Sequence, residues 1–353
     1  MTSLAKPQCG RQAVTPQVRF AESADIPRLF SLKWQLAIAE RITATLCATE
    51  ADWYREGFGR DGRFAALVAE IDGRLVGMLT LHERCDAQYQ STLYIEDLFV
   101  EPPYRNLGVA SELLADLAAH ARERNIPRIE LQVRRDNRAA QRLYRTQGFE
   151  RRHGIIAILA GDALLACAKA AKRVSAVAVR QHREPIPLRV RPAGPDDVAC
   201  LCDLKRRSAM ADEPGRATCP TADDWIRDGL GAVRPRCSAL VAEHEAAIVG
   251  VLTYSLRYYT ALPRPALAVL DLCVDPAYRR QAIGSSLMSE LCAIVSEHHY
   301  VHIELHLERH NTAAAAMSRK LGFVRARNCG TYRLAGSPLL RLAEAAANAV
   351  SLC

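Results

Sequence analysis

Asp97-Leu98-Phe99-Val100-Glu101-Pro102-Pro103-Tyr104-Arg105-Asn106-Leu107-Gly108-Val109-Ala110-Ser111 is the stretch that decides the fold. It begins inside a strand running from Leu93 to Val100. It ends inside a helix from Gly108 to Arg122, in which Val109, Leu113, Leu114 and Leu117 recur at helical spacing. The residues between strand and helix form a turn that gathers the backbone N–H groups of the helix start around one point. Those groups have no partner within the helix and stand at the positive end of its dipole. Such a turn accepts a phosphate, and small residues at 108 and 110 let the anion come close to the backbone.

The same landmarks return 174 positions later as Asp271-Leu272 with Val274, Pro276, Tyr278 and Arg279. Asn137 and Gly148-Phe149 return as Asn311 and Gly322-Phe323, and Thr49-Glu50-Ala51-Asp52-Trp53 returns as Thr221-Ala222-Asp223-Asp224-Trp225. A period this long exceeds those of solenoids and propellers, so each copy is expected to be a complete domain with its own core. The reading divides the chain into a flexible leader over 1–16, an amino-terminal domain over 17–179, a linker over 180–187 stiffened by Pro185 and Pro187, and a carboxy-terminal domain over 188–353. In copy one the hairpin Phe64–Glu70 and Leu75–Leu81 turns at Asp72-Gly73. The strand Arg128–Val133, the helix Arg138–Thr146 and a closing strand His153–Leu159 follow. The helix near Asp25 is expected to turn Leu29, Phe30, Leu32 and Trp34 to the core, and the segment from Asp162 to about Val179 reads as a packing helix.

With 353 residues, 49% hydrophobic and 24% charged, the composition is that of a soluble globular protein with room for two cores. No apolar run approaches the roughly 20 residues that span a bilayer, and the first thirty residues lack a signal-peptide stretch. The expectation is a cytoplasmic protein with no membrane partner. The twelve cysteines stand singly except for Cys200 and Cys202, which point apart on a helix, so reduced, buried thiols and no metal site are expected. A net charge of +8 without a dense basic stripe argues against nucleic acid and leaves an anionic small ligand open.

The second turn reads Tyr278-Arg279-Arg280-Gln281-Ala282-Ile283-Gly284-Ser285. Aligned on Tyr-Arg, Ala282 stands for Gly108 and Gly284 for Ala110. One register later, Gln281-x-x-Gly284-x-Ser286 also approximates the pattern. Both registers are open at this point.

Arg105-x-x-Gly108-x-Ala110 after a strand, then Asn137 followed by Ala140 and Tyr144, then Gly148-Phe149, resembles the GNAT acyl-CoA-dependent N-acetyltransferases over 18–160 and again over 188–335. The resemblance implies an α/β (α+β) fold of two tandem domains, each a mixed sheet flanked by helices and splayed between its fourth and fifth strands. It implies acetyl-CoA as acyl donor, its pyrophosphate on Arg105, Asn106, Leu107, Gly108, Val109, Ala110 and Ser111. The pantetheine would lie along Leu98, Phe99 and Val100, with Asn137 nearby. A second possible site comprises Leu272, Val274, Arg279, Arg280, Gln281, Ala282, Ile283, Gly284, Ser285 and Asn311.

Transfer to an amine needs a base for the amine and an acid for the departing thiolate. Copy one offers Glu96 and Tyr144, and within the family it is most similar to diamine (spermidine/spermine-type) acetyltransferases, through the acidic pair Glu96-Asp97, Gly57-Phe58-Gly59 and Phe64. That likeness implies Glu96 as general base and Tyr144 as general acid. At the same shift copy two has Leu270 and Ser318, so the first domain is expected to be active and the second silent, a structural half of the substrate cleft. His302, His306, Tyr258 and Tyr259 are the candidates for other chemistry in copy two. The expected acceptor is a primary amine of a small molecule: polyamine-like, an amino sugar or an amine-bearing antibiotic. Glu50, Asp52, Glu56, Glu96 and Asp97 are placed to receive a cation, although the charge of +8 opposes a polycation. The rival readings are a non-catalytic acyl-CoA-binding or assembly protein and a protein N-acetyltransferase. The expected state is a monomer whose halves imitate a dimer, or a homodimer.

Overall fold

The computed structural model describes residues 16–59, 62–85, 91–152, 154–159, 187–212, 221–232, 235–308, 311–326 and 329–335, with a few isolated positions besides. The expected leader up to residue 15, the expected helix from Asp162 to Val179 but for isolated positions, and the linker 180–186 lie outside the described residues.

In the amino-terminal half, β1 (Gln17–Phe20), α1 (Ile26–Glu40) and α2 (Glu50–Trp53) precede β2 (Ala65–Ile71), β3 (Arg74–Cys85) and β4 (Ser91–Val100). Then come α3 (Val109–Glu123), β5 (Arg128–Arg134), α4 (Arg138–Thr146), β6 (Glu150–Arg152) and β7 (Gly154–Leu159). The carboxy-terminal half repeats the order with β8 (Arg189–Pro192), α5 (Val198–Asp212), α6 (Ala222–Trp225), β9 (Ser238–His244), β10 (Ala247–Arg257) and β11 (Ala266–Val274). It ends with α7 (Ile283–Glu297), β12 (Ile303–Glu308), α8 (Thr312–Lys320), β13 (Val324–Ala326) and β14 (Cys329–Ala335).

Local chemistry explains the repeated landmarks. Thr49 and Thr221 each open a helix through a reciprocal capping box with Asp52 and Asp224. Asn137 and Asn311 cap α4 and α8 by accepting from the N–H of Ala140 and Ala314. Gly148 and Gly322 leave those helices at φ 86° and 89°, the left-handed exit that lacks a Cβ penalty. Asp72 and Gly73, at φ 52° and 72°, close the β2–β3 hairpin as a two-residue turn should.

Helix α3 covers one face of the first sheet, where Leu113, Leu114 and Leu117 meet Leu93, Ile95, Ile129 and Leu131. Helices α1 and α2 cover the other, with Leu29, Leu32 and Trp53 against Phe64, Val68 and Met78. The expectation for α1 needs one correction. Trp34 is 42% exposed, and Lys33 beside it is buried, because a carboxylate of the sheet neutralises it. Phe64 is likewise a core residue, and Gly57 is required beneath it, since a Cβ at 57 would lie 2.5 Å from its ring.

The sheets run β1-β2-β3-β4-β5-β14-β6 and β8-β9-β10-β11-β12-β7-β13. This corrects the expectation that each copy closes its own sheet. β7 pairs antiparallel with β12 of the other half, and β14 pairs antiparallel with β5 of the first. The two halves therefore exchange their last long strands, and neither sheet is complete without the other half's chain.

In each sheet one parallel pair opens. β4 and β5 pair only from Leu93 to Ile95 on one side and from Ile129 to Leu131 on the other, and then separate. A bulge between Thr80 and Leu81 skips Glu96 on β4 at the point of separation. The second sheet repeats both features, pairing β11 with β12 from Leu267 to Val269 and skipping Leu270.

Candidate active site

Where β4 leaves β5, a cleft of about 880 Å³ opens between β4, the following turn, α1 and α4. Leu98, Phe99 and Val100 line one wall, and Arg105, Asn106, Gly108, Val109, Ala110 and Ser111 form one end. Asn137 and Tyr144 come from α4, and Leu36, Ala39, Glu40 and Arg41 from the end of α1. The sequence reading thus gathers into one place, with two exceptions. Neither lines the cleft: Leu107 is 42% exposed, and Glu96 lies at the bulge where the pairing of β4 with β5 stops, one residue beyond Ile95.

The turn has the properties of an anion cradle. Among the described residues, the backbone N–H groups of Asn106 through Ala110 meet no acceptor of the protein. They precede a helix of 15 residues, whose dipole favours negative charge there. Gly108 is left-handed at φ 85°, with open space where a Cβ would stand, so its glycine serves both the backbone conformation and the approach of a ligand. Arg105 ties the turn back to β4, donating from Nε to the Val100 carbonyl at 2.9 Å. Asn137 spends its side-chain oxygen on capping α4, so it shapes the rim as a cap.

The second turn keeps this geometry. Ala282 occupies the left-handed position at φ 61° and α7 begins at Ile283, which decides for the register aligned on Tyr278-Arg279. Arg279 donates to the Val274 carbonyl as Arg105 does to Val100. The reactive positions differ: Leu270 is skipped at the bulge and the Ser318 hydroxyl donates to the Ala315 carbonyl of its own helix.

Burial is the main force on both proton-handling candidates. It pushes the Glu96 carboxyl up to about 8, with the adjacent Asp97 adding to the rise and Lys33 and Arg257 opposing it. Burial also raises the Tyr144 phenol, which keeps its proton throughout the neutral range. Tyr144 packs against Phe149 with ring centroids 5.4 Å apart. The acids expected to receive a cation are mostly taken. Asp97 holds Lys33 Nζ at 2.7 Å, and Arg55 pairs with both Asp52 and Glu56.

What sequence reasoning missed lies at the seam between the halves. Lys33 Nζ donates to Asp97 and, at 2.8 Å, to the Thr260 hydroxyl of the other half. The Trp53 indole donates to the Thr260 carbonyl at 2.9 Å. Tyr94 on β4 carries the guanidinium groups of Arg84 and Arg257 at 4.0 and 4.2 Å from its ring centre. Glu304 accepts from Tyr259, Gln132 and His306. Of the histidines singled out on β12 and its approach, His302 is buried and its burial disfavours the charged form.

The chain matches the acetyltransferase (GNAT) family model twice, over residues 31–149 and 204–323. It is 34% identical over 109 residues to a spermidine/spermine N(1)-acetyltransferase-like protein 1 of Homo sapiens, covering 29% of this chain and 16% of that protein. The match thus spans about a sixth of that relative's length. A thialysine N-epsilon-acetyltransferase of Sus scrofa is 27% identical over 139 residues, covering 37% of this chain and 82% of that protein. Among solved structures, a tandem GNAT protein from the clavulanic acid biosynthesis pathway aligns over 91% of this chain and 98% of its own, with a TM-score of 0.53 and 16% identity. That likeness speaks for the fold. No helix among the described residues is long and apolar enough to cross a membrane. With two family matches lying over two splayed sheets, the chain belongs to the acetyltransferase (GNAT) family and is an acyl-CoA N-acetyltransferase carrying two tandem domains.

Proposed function

We propose that the amino-terminal half transfers an acetyl group from acetyl-CoA to the primary amine of a small molecule. The observation that carries this reading is that free amides at 106–110 and the edge of β4 beyond its pairing with β5 lie along one cleft, with a carboxyl raised to about 8 on the strand where that pairing ends. The residues fit the donor. The turn amides hold its diphosphate, and the β4 edge after Ile95 offers backbone groups to the amides of its pantetheine arm. Acetyl-CoA supplies the activated acetyl thioester.

Glu96 takes one proton from the incoming ammonium, leaving the nitrogen lone pair free to attack the thioester carbonyl; as the C–S bond breaks, the nitrogen loses its second proton to solvent. Tyr144, held protonated, delivers its proton where the thiolate departs, and exchange with solvent resets both groups. The carboxy-terminal half, with Leu270 and Ser318 in these places, lacks both functions and supports the amino-terminal site by completing its sheet with β14. Its turn retains the geometry for an anion, so a second bound CoA is compatible with catalytic silence.

Names among the relatives point to polyamine and thialysine acceptors, both amines of small molecules. The pairing of Asp52, Glu56 and Asp97 leaves little free negative charge for a polycation. A single reactive amine, as in an amino sugar or amine-bearing antibiotic, suits the site as well as a diamine. The crossed strands support a monomer whose halves stand in for a dimer.

Incubation with acetyl-CoA and a panel of diamines, amino sugars and amino acids, following free thiol, tests the reading. Release of thiol with one amine class and its loss in Glu96→Gln support it. Thiol release that Glu96→Gln leaves intact and Ser318→Ala abolishes reverses the assignment of halves.

A further inference from the structure

Among the described residues, the charged side chains that line the cleft are Glu40, Arg41, Arg105, Arg134 and Asp136. Three of them are engaged. Arg134 and Asp136 hold each other through hydrogen bonds of 3.0 and 2.7 Å, and Arg105 is tied to the Val100 carbonyl at the anion cradle. Glu40 and Arg41 remain. Among the described residues neither side chain makes a hydrogen bond or an ion pair, with the other or with any neighbour.

Both stand on the wall that α1 contributes, next to Leu36 and Ala39 and in the same cleft as Tyr144 of α4. Glu40 is half-buried, and taking a carboxylate from water without a counter-charge is costly unless a ligand brings one. Arg41 ends α1 at φ 57° and ψ 39°, with its own N–H and that of Ile42 returning to the Ala37 carbonyl. Glycine or asparagine suits such a left-handed exit better than arginine, so ending the helix does not account for this residue. The exit has a second effect: it lets consecutive side chains line one cavity, which neighbouring positions within a helix do not. At the shift of 172 the other copy has Asp212 and Glu213, so the acid beside a base belongs to the first half.

We propose that Glu40 and Arg41 read a zwitterionic acceptor: the carboxylate receives its ammonium and the guanidinium its acid group, as a small amino acid carries them. The inference rests on the reading of this cleft as the acetyl-transfer site, and it narrows the acceptor class there. One open acid beside one open base also turns away a polyamine, whose second ammonium would meet Arg41. Acetylation removes the charge that Glu40 holds, which loosens the product for release.

Amino acids of increasing chain length, each compared with the diamine and the amino-amide of equal length, test the pair. Thiol release gives kcat and KM, and calorimetry gives binding to the CoA-loaded protein. The wild type is expected to favour an amino acid over its matched diamine and amide by about tenfold or more in kcat/KM. Arg41→Gly abolishes that preference and raises the amino acid KM by about ten- to hundredfold. The KM values of the amide and of acetyl-CoA stay within about twofold in this variant, and its denaturation midpoint lies at or above that of the wild type, since glycine suits the exit. Glu40→Gln raises KM for all three acceptors, and Arg41→Glu hands the preference to the diamine. A wild type that prefers the diamine or treats the three alike overturns the proposal. So does Arg41→Gly raising the acetyl-CoA KM alone, for the arginine then belongs to the donor. Amino acid binding that needs Glu40 and Arg41 without any thiol release supports the pair and sinks acetyl transfer. Thiol release indifferent to both variants sinks the pair and keeps acetyl transfer.

Discussion

Because burial lifts the Glu96 carboxyl from its ordinary 4.5 to about 8, this proposed base is mostly protonated at neutral pH. The kcat/KM of the wild type is therefore expected to rise about tenfold per pH unit below 8 and level off above it. Glu96→Gln flattens that limb and lowers turnover by roughly 10²–10⁴. The same shift has a stability consequence of defined sign. Between 4.5 and 8 the folded state holds a proton that the unfolded state has released, so Glu96 weakens the fold as pH rises through that window. Denaturant midpoints measured at pH 5 and pH 8 should fall less in Glu96→Gln than in wild type. The turns offer a second residue-scale test. Gly108 and Ala282 share a left-handed conformation, at φ 85° and 61°. Gly108→Ala is expected to cost about 1 kcal/mol and Ala282→Gly to gain a comparable amount, checked by chemical denaturation. That Gly108, Asn137 and Tyr144 meet at one cleft was legible in the sequence because a motif frames them. Lys33 and Arg257 were not, since each is one basic residue in an otherwise ordinary pattern and its partners lie far along the chain.

Helices α4 and α8 begin and end where the sequence says they do, for the Asn cap and the Gly exit are local chemistry that the neighbouring residues cannot override. The β2–β3 hairpin and the phosphate-type turn are legible for the same reason. Strand exchange has no such signature. A continuous apolar run marks β7 as a strand without naming its neighbour, and the similar exits Leu159-Ala160-Gly161 and Leu334-Ala335-Gly336 make either sheet look self-sufficient. The pairing observed makes a direct prediction. A chain ending at residue 328 lacks β14, leaving the outer edge of β5 unpaired. Hydrogen exchange at Arg128–Arg134 is expected to lose most of its protection in that truncation, although every residue of the first family match is present.

Across the whole molecule, the two halves meet through buried polar bonds as well as shared strands. Lys33, Asp97 and Thr260 form one such cluster, and removing the cation strands a buried carboxylate. Lys33→Met is therefore expected to cost about 3–5 kcal/mol, seen as a lower denaturation midpoint, with unfolding still a single transition for both halves. The crossed strands also set the timetable of synthesis. The strand that completes the amino-terminal sheet is translated roughly 180 residues after the rest of that sheet, a delay of about ten to forty seconds at ribosomal speed. During that interval the nascent first half presents a bare β5 edge, so its escape from aggregation depends on a chaperone or on how soon β14 leaves the ribosome.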